Sequence, residues 1–465
     1  MYADLCNACA EYSRLSRRKF MAVSGAALAL PTCFPRVSFA KQFSSTPQDV
    51  IVQVYLRGGL DGMSFIAPWN ETNYANARPI IRLTGPGSGA TAVLDPGAGN
   101  TAASATAPGG QVVFGFHPAM APLMTAYNDG KLAFVHATGL TNTNKSHFDA
   151  QRFMEVALIN NPTIGTGWLG RHLMTQTSPM NPNGVLRAVG VTDGLPQTLI
   201  GADKAVPIPQ LDDSTGSPPT NLTNFDNYNI SGTTSTSTSR RTTIDTMHDA
   251  FGGAIGNSAN NTLATIQLLN TIGAANYTSS IAVGNNPADY PTNSFGNALR
   301  SSAALINAQV GVEAIAIDVG GWDTHNNQGT ANGIADPASA FFGLVNGLAA
   351  ALSAFYADII VGKGRRVIVV VLTEFGRRLG QNGTVGTDHG YASTMFVLGN
   401  AVVGRRIVTN WPGLAPTQPA TNVDLNVTID YRDILAEIIT KRLGNGANLP
   451  NIFPGFNPTI RNVIA

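Results

Sequence analysis

The sequence predicts an α/β fold, a mostly parallel sheet flanked by helices, and three observations lead there. Four apolar runs, "VIVQVYL", "LAFVHATG", "VEAIAIDV" and "VIVVVLT", are rich in β-branched residues and read as buried strands. Each runs into glycine or an acidic residue, the punctuation of a strand end. Between the third and the fourth lies one long helical pattern, so strand, helix and strand follow in the order of a βαβ unit.

The elements can be justified in order. "DVIVQVYLRGGLDGMSF" is a buried strand entering a turn at Arg57 to Asp61. The Gly-, Ala-, Thr- and Pro-rich stretch from Thr84 to Gly110 reads as an irregular loop, and "HPAMAPLMTAYNDGK" from His117 as a short helix ended at Gly130. "LAFVHATG" from Leu132 is the second strand. "SHFDAQRFMEVAL" then opens a helix with Ser146 as N-cap and Asp149 three residues on. From Leu211 to Thr243 the chain is polar and low in complexity, as an exposed insertion would be. "NSFGNALRSSAALINAQ" predicts a helix feeding "VEAIAIDV". Asp336 is the expected cap and Pro337 the expected start of a long helix whose apolar stripe runs through Phe341, Val345, Leu348, Leu352, Phe355 and Ile359. "RRVIVVVLTEFGRR" is a strand ending at Glu374, and "TMFVLG", Thr394 to Gly399, is one more short strand.

Charged residues make up only 12% of the 465, and the formal net charge is +1, which excludes the electrostatic footprint of a nucleic-acid binder. "SRRKFM", the short apolar run "AVSGAALAL", Pro31 and the small residues ending at Ala40 form the pattern of a twin-arginine export signal. The expectation is therefore a leader over 1–40, handled by the twin-arginine export machinery, and a periplasmic or secreted protein of one domain over 41–465. No run is read as a membrane span, which needs roughly 20 apolar residues. Cys6, Cys9 and Cys33 all precede Ala40, so cleavage there leaves a chain without cysteine.

Ligands of parallel α/β sheets bind at the carboxyl ends of strands. Acidic or imidazole groups stand at four such exits here: Asp61, the pair Asp323 and His325 in "GGWDTHNNQG", Glu374, and Asp388 with His389 in "GTDHG". Ser146, His147 and Asp149 form a fifth group at a helix start. Carboxylate with imidazole is the ligand set of zinc, manganese or iron, with magnesium or calcium where carboxylates dominate. Each element also has a structural reading: Asp323 as a helix cap, Glu374 paired with Arg377 or Arg378, Ser146 and Asp149 as a capping box.

"YLRGGLDGMSF", "FHPAMAPL", "SHFDAQRFME", "GGWDTHNNQ", "TEFGRR", "GTDHGYASTMFVLGNAVVG" and "DYRDILAEII" resemble, in this order, the domain-of-unknown-function family 1501, and the resemblance runs from about Val50 to about Leu443. That family is similar to the alkaline phosphatase and sulfatase superfamily. The resemblance implies an alkaline-phosphatase-like fold and an exported metal-dependent hydrolase of a phosphate or sulfate ester. It implies a divalent metal on Asp61, Asp323, His325, Glu374, Asp388 and His389, Ser146 near the nucleophile, and Arg57 or Arg377 as an anion clamp. Phe375 stands where a histidine is expected beside Glu374. The alternative is a non-catalytic binding or envelope-assembly protein that keeps the phosphatase-like fold. The sequence holds no Gly-x-Ser-x-Gly elbow, P-loop or His-Glu-x-x-His.

Overall fold

The computed structural model describes residues 49–97, 104–107, 110–142, 144–159, 163–178, 184–192, 194–208, 265, 268, 277, 279–280, 290–414 and 424–465. The expected leader and the polar segment Leu211 to Thr243 lie outside them. The chain divides into two compact units, and all described residues except Thr265 belong to the unit formed by Ala40–Tyr228 and Ile266–Ala465. The other unit, Met1–Phe39 with Asn229–Thr265, is otherwise outside the description.

Among the described residues, nine strands share the main sheet of this larger unit. They are β1 (Val50–Leu56), β2 (Leu132–Gly139), β3 (Ala188–Val191), β4 (Ala205–Ile208), β5 (Ala314–Val319), β6 (Val367–Thr373), β7 (Ser393–Gly399), β8 (Arg406–Val408) and β9 (Ile429–Asp430). Their spatial order is β8, β2, β7, β6, β1, β5, β3, β4, with β9 also on β2. β1 lies at the centre and pairs in parallel with both β5 and β6, Val54 standing between Ile317 and Val371. β7 alone runs antiparallel to its neighbours, β6 and β2, so the sheet is mixed and mostly parallel.

The central strands are apolar throughout because both faces are covered. Alternate side chains of β1 enter different cores, Val52 and Val54 on one side and Ile51 and Tyr55 on the other. The first core is closed by helices α3 (Ser294–Ala308) and α4 (Ala340–Phe355), through Phe295, Leu299, Phe341 and Val345. The second is closed by α1 (His147–Val156), α2 (Trp168–Met174) and α5 (Tyr431–Lys441), through Phe153, Trp168, Tyr431 and Ile434. Helices thus cover both faces of the sheet.

Three sequence expectations are corrected. Helix α4 begins at Ala340, not Pro337, because Asp336 closes a turn instead: its carboxylate accepts from Ala338 N, Thr330 Oγ1 and Asn332 Nδ2. The N-cap is Ser339, whose Oγ accepts from Phe342 N at 3.0 Å. The stretch from Thr84 to Gly110 is not wholly irregular, since Ser104–Ala107 pairs with Gly110–Val113. Finally, α4 continues through a π-helix, Tyr356–Gly362, and the 23 residues together are long and apolar enough to cross a membrane by length and composition. No run was expected to reach that length. Its apolar stripe, Phe341 to Ile359, is buried in the protein, so the length serves the core.

Candidate metal centre

The antiparallel course of β7 decides where the site forms. Its first residue lies beside the end of β6, so the residues entering β7 meet those leaving β6. Backbone pairing in the connecting loop fixes the meeting: Arg378 N donates to Asp388 O at 2.9 Å, and Gly390 N donates to Gly376 O at 2.8 Å. His389 is brought opposite Arg377. The loop leaving β5 carries Asp323 and His325 to the same edge, and the first turn of α1 brings His147.

One carboxylate receives these groups. Asp323 Oδ1 stands 3.1 Å from His325 Nε2, 3.2 Å from His389 Nε2 and 2.7 Å from Arg377 Nη2. Asp323 Oδ2 stands 3.4 Å from His147 Nε2. The two other Nε2 atoms, of His325 and His389, are 2.9 Å apart. Potential ligand atoms of His147, Asp323 and His389 all lie within 4.8 Å of one another.

The outer nitrogen of each ring is also committed. Nδ1 of His147 is 3.0 Å from Glu374 Oε1, Nδ1 of His325 is 3.1 Å from Asp388 Oδ1, and Nδ1 of His389 is 3.0 Å from the Lys145 carbonyl oxygen. Since these oxygens accept, each Nδ1 carries a proton and each Nε2 faces the common centre. This is how metal-binding imidazoles are held: an outer acceptor fixes the tautomer and leaves the inner lone pair for an ion. His147 Nε2 is buried, and its neighbour is Asp323 Oδ2 at the long distance of 3.4 Å.

The surroundings hold the carboxylate charged. Burial raises the Asp323 pKa, but the three imidazoles and Arg377 outweigh it and depress it far below the usual carboxylate range. Burial lowers the His147 pKa, while Asp323 and Glu374 hold it up at about 9, so an ion entering the centre would displace a proton from its Nε2. His389 is lowered, by burial first and then by the Arg377, His147 and His325 charges, against the opposing pull of Asp323. Glu374, fully buried, is lowered: burial raises it, and the bonds from His147 and Gln151 prevail.

The six residues expected to bind metal fall into three groups. Asp323, His325 and His389 meet in the cluster. Glu374 and Asp388 stand one step behind it, orienting His147 and His325. Glu374 is held by Gly58 N at 2.7 Å, Gln151 Nε2 at 3.0 Å and Thr373 Oγ1 at 3.1 Å. Asp61 is used elsewhere. Its fully buried carboxylate accepts from Arg78 at 2.6 and 3.0 Å, from Ser64 Oγ at 2.7 Å and from Gln328 Nε2 at 2.6 Å, so it has no lone pair to offer an ion.

Neither expected anion clamp is available as one. Arg377, completely buried, donates to the carbonyls of Gly58, Gly59, Trp322 and Thr387 and to Asp323. It pins the loop that carries Asp323 and His325. Arg57 is shared between Glu155 and Asp318 at 2.9–3.0 Å. Ser146 is the N-cap of α1 by position, yet its side chain makes no capping bond; Asp149 instead accepts from Asn144 Nδ2 at 2.8 Å, so the expected capping box is not formed.

"RGGLDG" supplies not a ligand but a seat. Gly58 has φ +121°, and a Cβ there would collide with the backbone nitrogen of Asp323. His147 is the residue that the sequence reading left out of the ligand set. Its signal was its place beside Ser146, at a helix start directly after β2.

Residues 259–436 match the model of a family described as "Protein of unknown function (DUF1501)", which supports the resemblance to that family. The matched segment contains Asp323, His325, Glu374, Arg377, Asp388 and His389, whereas His147 precedes it. No curated protein and no solved structure matches the chain.

Proposed function

We propose that the chain is an exported, metal-dependent hydrolase of an anionic ester, a phosphate or a sulfate, whose metal is held by His147, Asp323, His325 and His389. One observation carries the reading: three imidazoles turn Nε2 toward a single carboxylate while each Nδ1 is fixed by an outer oxygen. Three nitrogens and one oxygen favour zinc, or manganese or iron, over magnesium and calcium, which take oxygen ligands. Donors of His147, Asp323 and His389 lie within reach of one ion, and His325 Nε2 stands beside them, 3.1 Å from Asp323 Oδ1 and 2.9 Å from His389 Nε2. The site's place at the carboxyl edge of a mostly parallel sheet agrees with the likeness to the alkaline phosphatase and sulfatase superfamily that the motifs suggest.

A divalent ion bound here would polarise an ester oxygen and lower the pKa of a water or hydroxyl. The chain's own residues do the rest. Asp323 supplies the negative charge that offsets the ion, and Arg377 fixes its position. Glu374, Asp388 and the Lys145 carbonyl hold the three rings in the donor tautomer. Ser146 remains the candidate nucleophile: its exposed hydroxyl is not consumed as a cap and its neighbour in the chain is His147.

The test is metal analysis of the purified full chain, then assay of chromogenic phosphate and sulfate esters with and without chelator. The expected result is one equivalent of a transition metal and a turnover that chelation removes and metal restores. A chain that takes up no metal would sink the reading. Metal retained without turnover on any ester would favour the binding-protein alternative.

A further inference from the structure

The centre is closed on one side and open on the other. His147 and His389 expose 15% and 18% of their side chains, His325 exposes 30%, Asp388 44% and Arg378 46%. A substrate can therefore approach past His325, Asp388 and Arg378, not past Glu374.

Most cations around this edge are already spent. Arg57 is held by Glu155 and Asp318, Arg78 by Asp61, and Arg377 by four carbonyls and Asp323. Lys145 reaches Asp424 at 2.6 Å and lies 4.2 Å over the Tyr391 ring. Arg378 differs. Its Nη1 stands 3.9 Å from Asp388 Oδ2, too far for a hydrogen bond. Its backbone, by contrast, is fixed on both sides, with N donating to Asp388 O at 2.9 Å and O accepting from Arg78 Nη2 at 2.9 Å. A half-exposed guanidinium on a rigid root, beside the acid that orients His325, is placed to meet an anion arriving at the mouth.

We propose that Arg378, rather than Arg377 or Arg57, is the residue that receives the substrate's anionic group, a tetrahedral oxyanion of the phosphate or sulfate kind. The assignment rests on the metal-hydrolase reading for its substrate class. A planar guanidinium matches two oxygens of such a group, and exchanging the long contact with Asp388 for it sacrifices little. The consecutive arginines of "EFGRR" thus divide the work, one pinning the loop from within and the other facing the ligand.

The experiment titrates inorganic phosphate into the full chain by calorimetry, with and without zinc, for wild type and for Arg378→Ala, Arg378→Lys and Arg366→Ala. Arg366 is the control for lost charge, since it sits at the opposite end of β6, about 20 Å away at roughly 3.3 Å per residue. The expected result is phosphate affinity at least about tenfold weaker in Arg378→Ala, partly kept in Arg378→Lys and unchanged in Arg366→Ala, with equal zinc content in all four and an unchanged thermal midpoint in the two Arg378 variants. Equal affinity in wild type and Arg378→Ala overturns the proposal, and so does a wild type that binds no phosphate. The two readings fail separately. A chain without zinc uptake sinks the metal centre while its phosphate titration still judges Arg378, and Arg378-dependent phosphate binding without ester turnover leaves this assignment standing against hydrolysis.

Discussion

His325 Nε2 and His389 Nε2 face each other at 2.9 Å, although each ring already donates its Nδ1 proton outward. Two lone pairs at that distance need a proton or a cation between them. If a metal fills that need, the outer acceptors matter almost as much as the ligands. Asp388→Ala leaves His325 in place but frees its ring, and should lower zinc affinity by about 10–100-fold. His389→Ala should lower it further. Competition with a chromophoric chelator measures both, and wild-type affinity in Asp388→Ala would show that His325 needs no such support.

Arg377 predicts a large effect of a different kind. Its removal takes a buried donor from the carbonyls of Gly58, Gly59, Trp322 and Thr387 and a guanidinium from Asp323. Arg377→Ala should cost about 3–5 kcal/mol in urea unfolding, the range for breaking a buried charge pair. Arg378→Ala, at the surface, should stay within about 0.5 kcal/mol. Similar costs for the two would contradict the division of labour between them.

The contrast also explains what was legible in the sequence. β1, β5 and β6 are buried on both faces, so their apolar runs had to be continuous, and the groups at the exits of β5 and β6 could be read directly. Asp388 and His389 could be read too, but not that β7 runs antiparallel, because a loop of that length allows either direction. The strands β3, β4, β8 and β9 have two to four residues each and leave no periodicity to detect. Asp61 looked like Asp323 because both follow a glycine turn. What separates them is Arg78, whose approach to Asp61 depends on tertiary packing. Ser146 and His147 are neighbours, and capping rules drew attention to the first, whereas the second joins the cluster.

Two serines test how much a cap position contributes without a cap bond. Ser339 Oγ accepts from Phe342 N at 3.0 Å and donates to the Ile334 carbonyl at 2.7 Å, so Ser339→Ala should cost about 1–2 kcal/mol. Ser146→Ala removes no capping bond and should cost under about 0.5 kcal/mol. Its effect on activity is then informative, since lost turnover with metal still bound marks the nucleophile, whereas retained turnover leaves a water in that role.

Buried histidines away from the centre set the acid limit of stability. His117 Nε2 donates to Ile334 O and its Nδ1 accepts from Ala119 N; His136 Nε2 donates to Ile66 O and its Nδ1 accepts from Ala137 N. Each ring is thus fixed as neutral, and a second proton would have to displace a backbone N–H. Burial, the main cause in each case, pushes both down to about 4, and burial with the nearby Arg187 charge does the same to His172. The unfolded value is about 6.5. A base whose folded pKa is depressed contributes stability above the unfolded value, and loses it as pH falls toward the folded one. The contribution of these three rings should therefore be flat above about pH 6.5 and fall steeply from there to about pH 4, with nearly one proton taken up per ring on unfolding, at most about 3 kcal/mol each. Urea unfolding between pH 4 and 7, with chelator present to silence any metal, measures the slope. His117→Gln should reduce the uptake by one proton; an unchanged slope would place the acid sensitivity elsewhere.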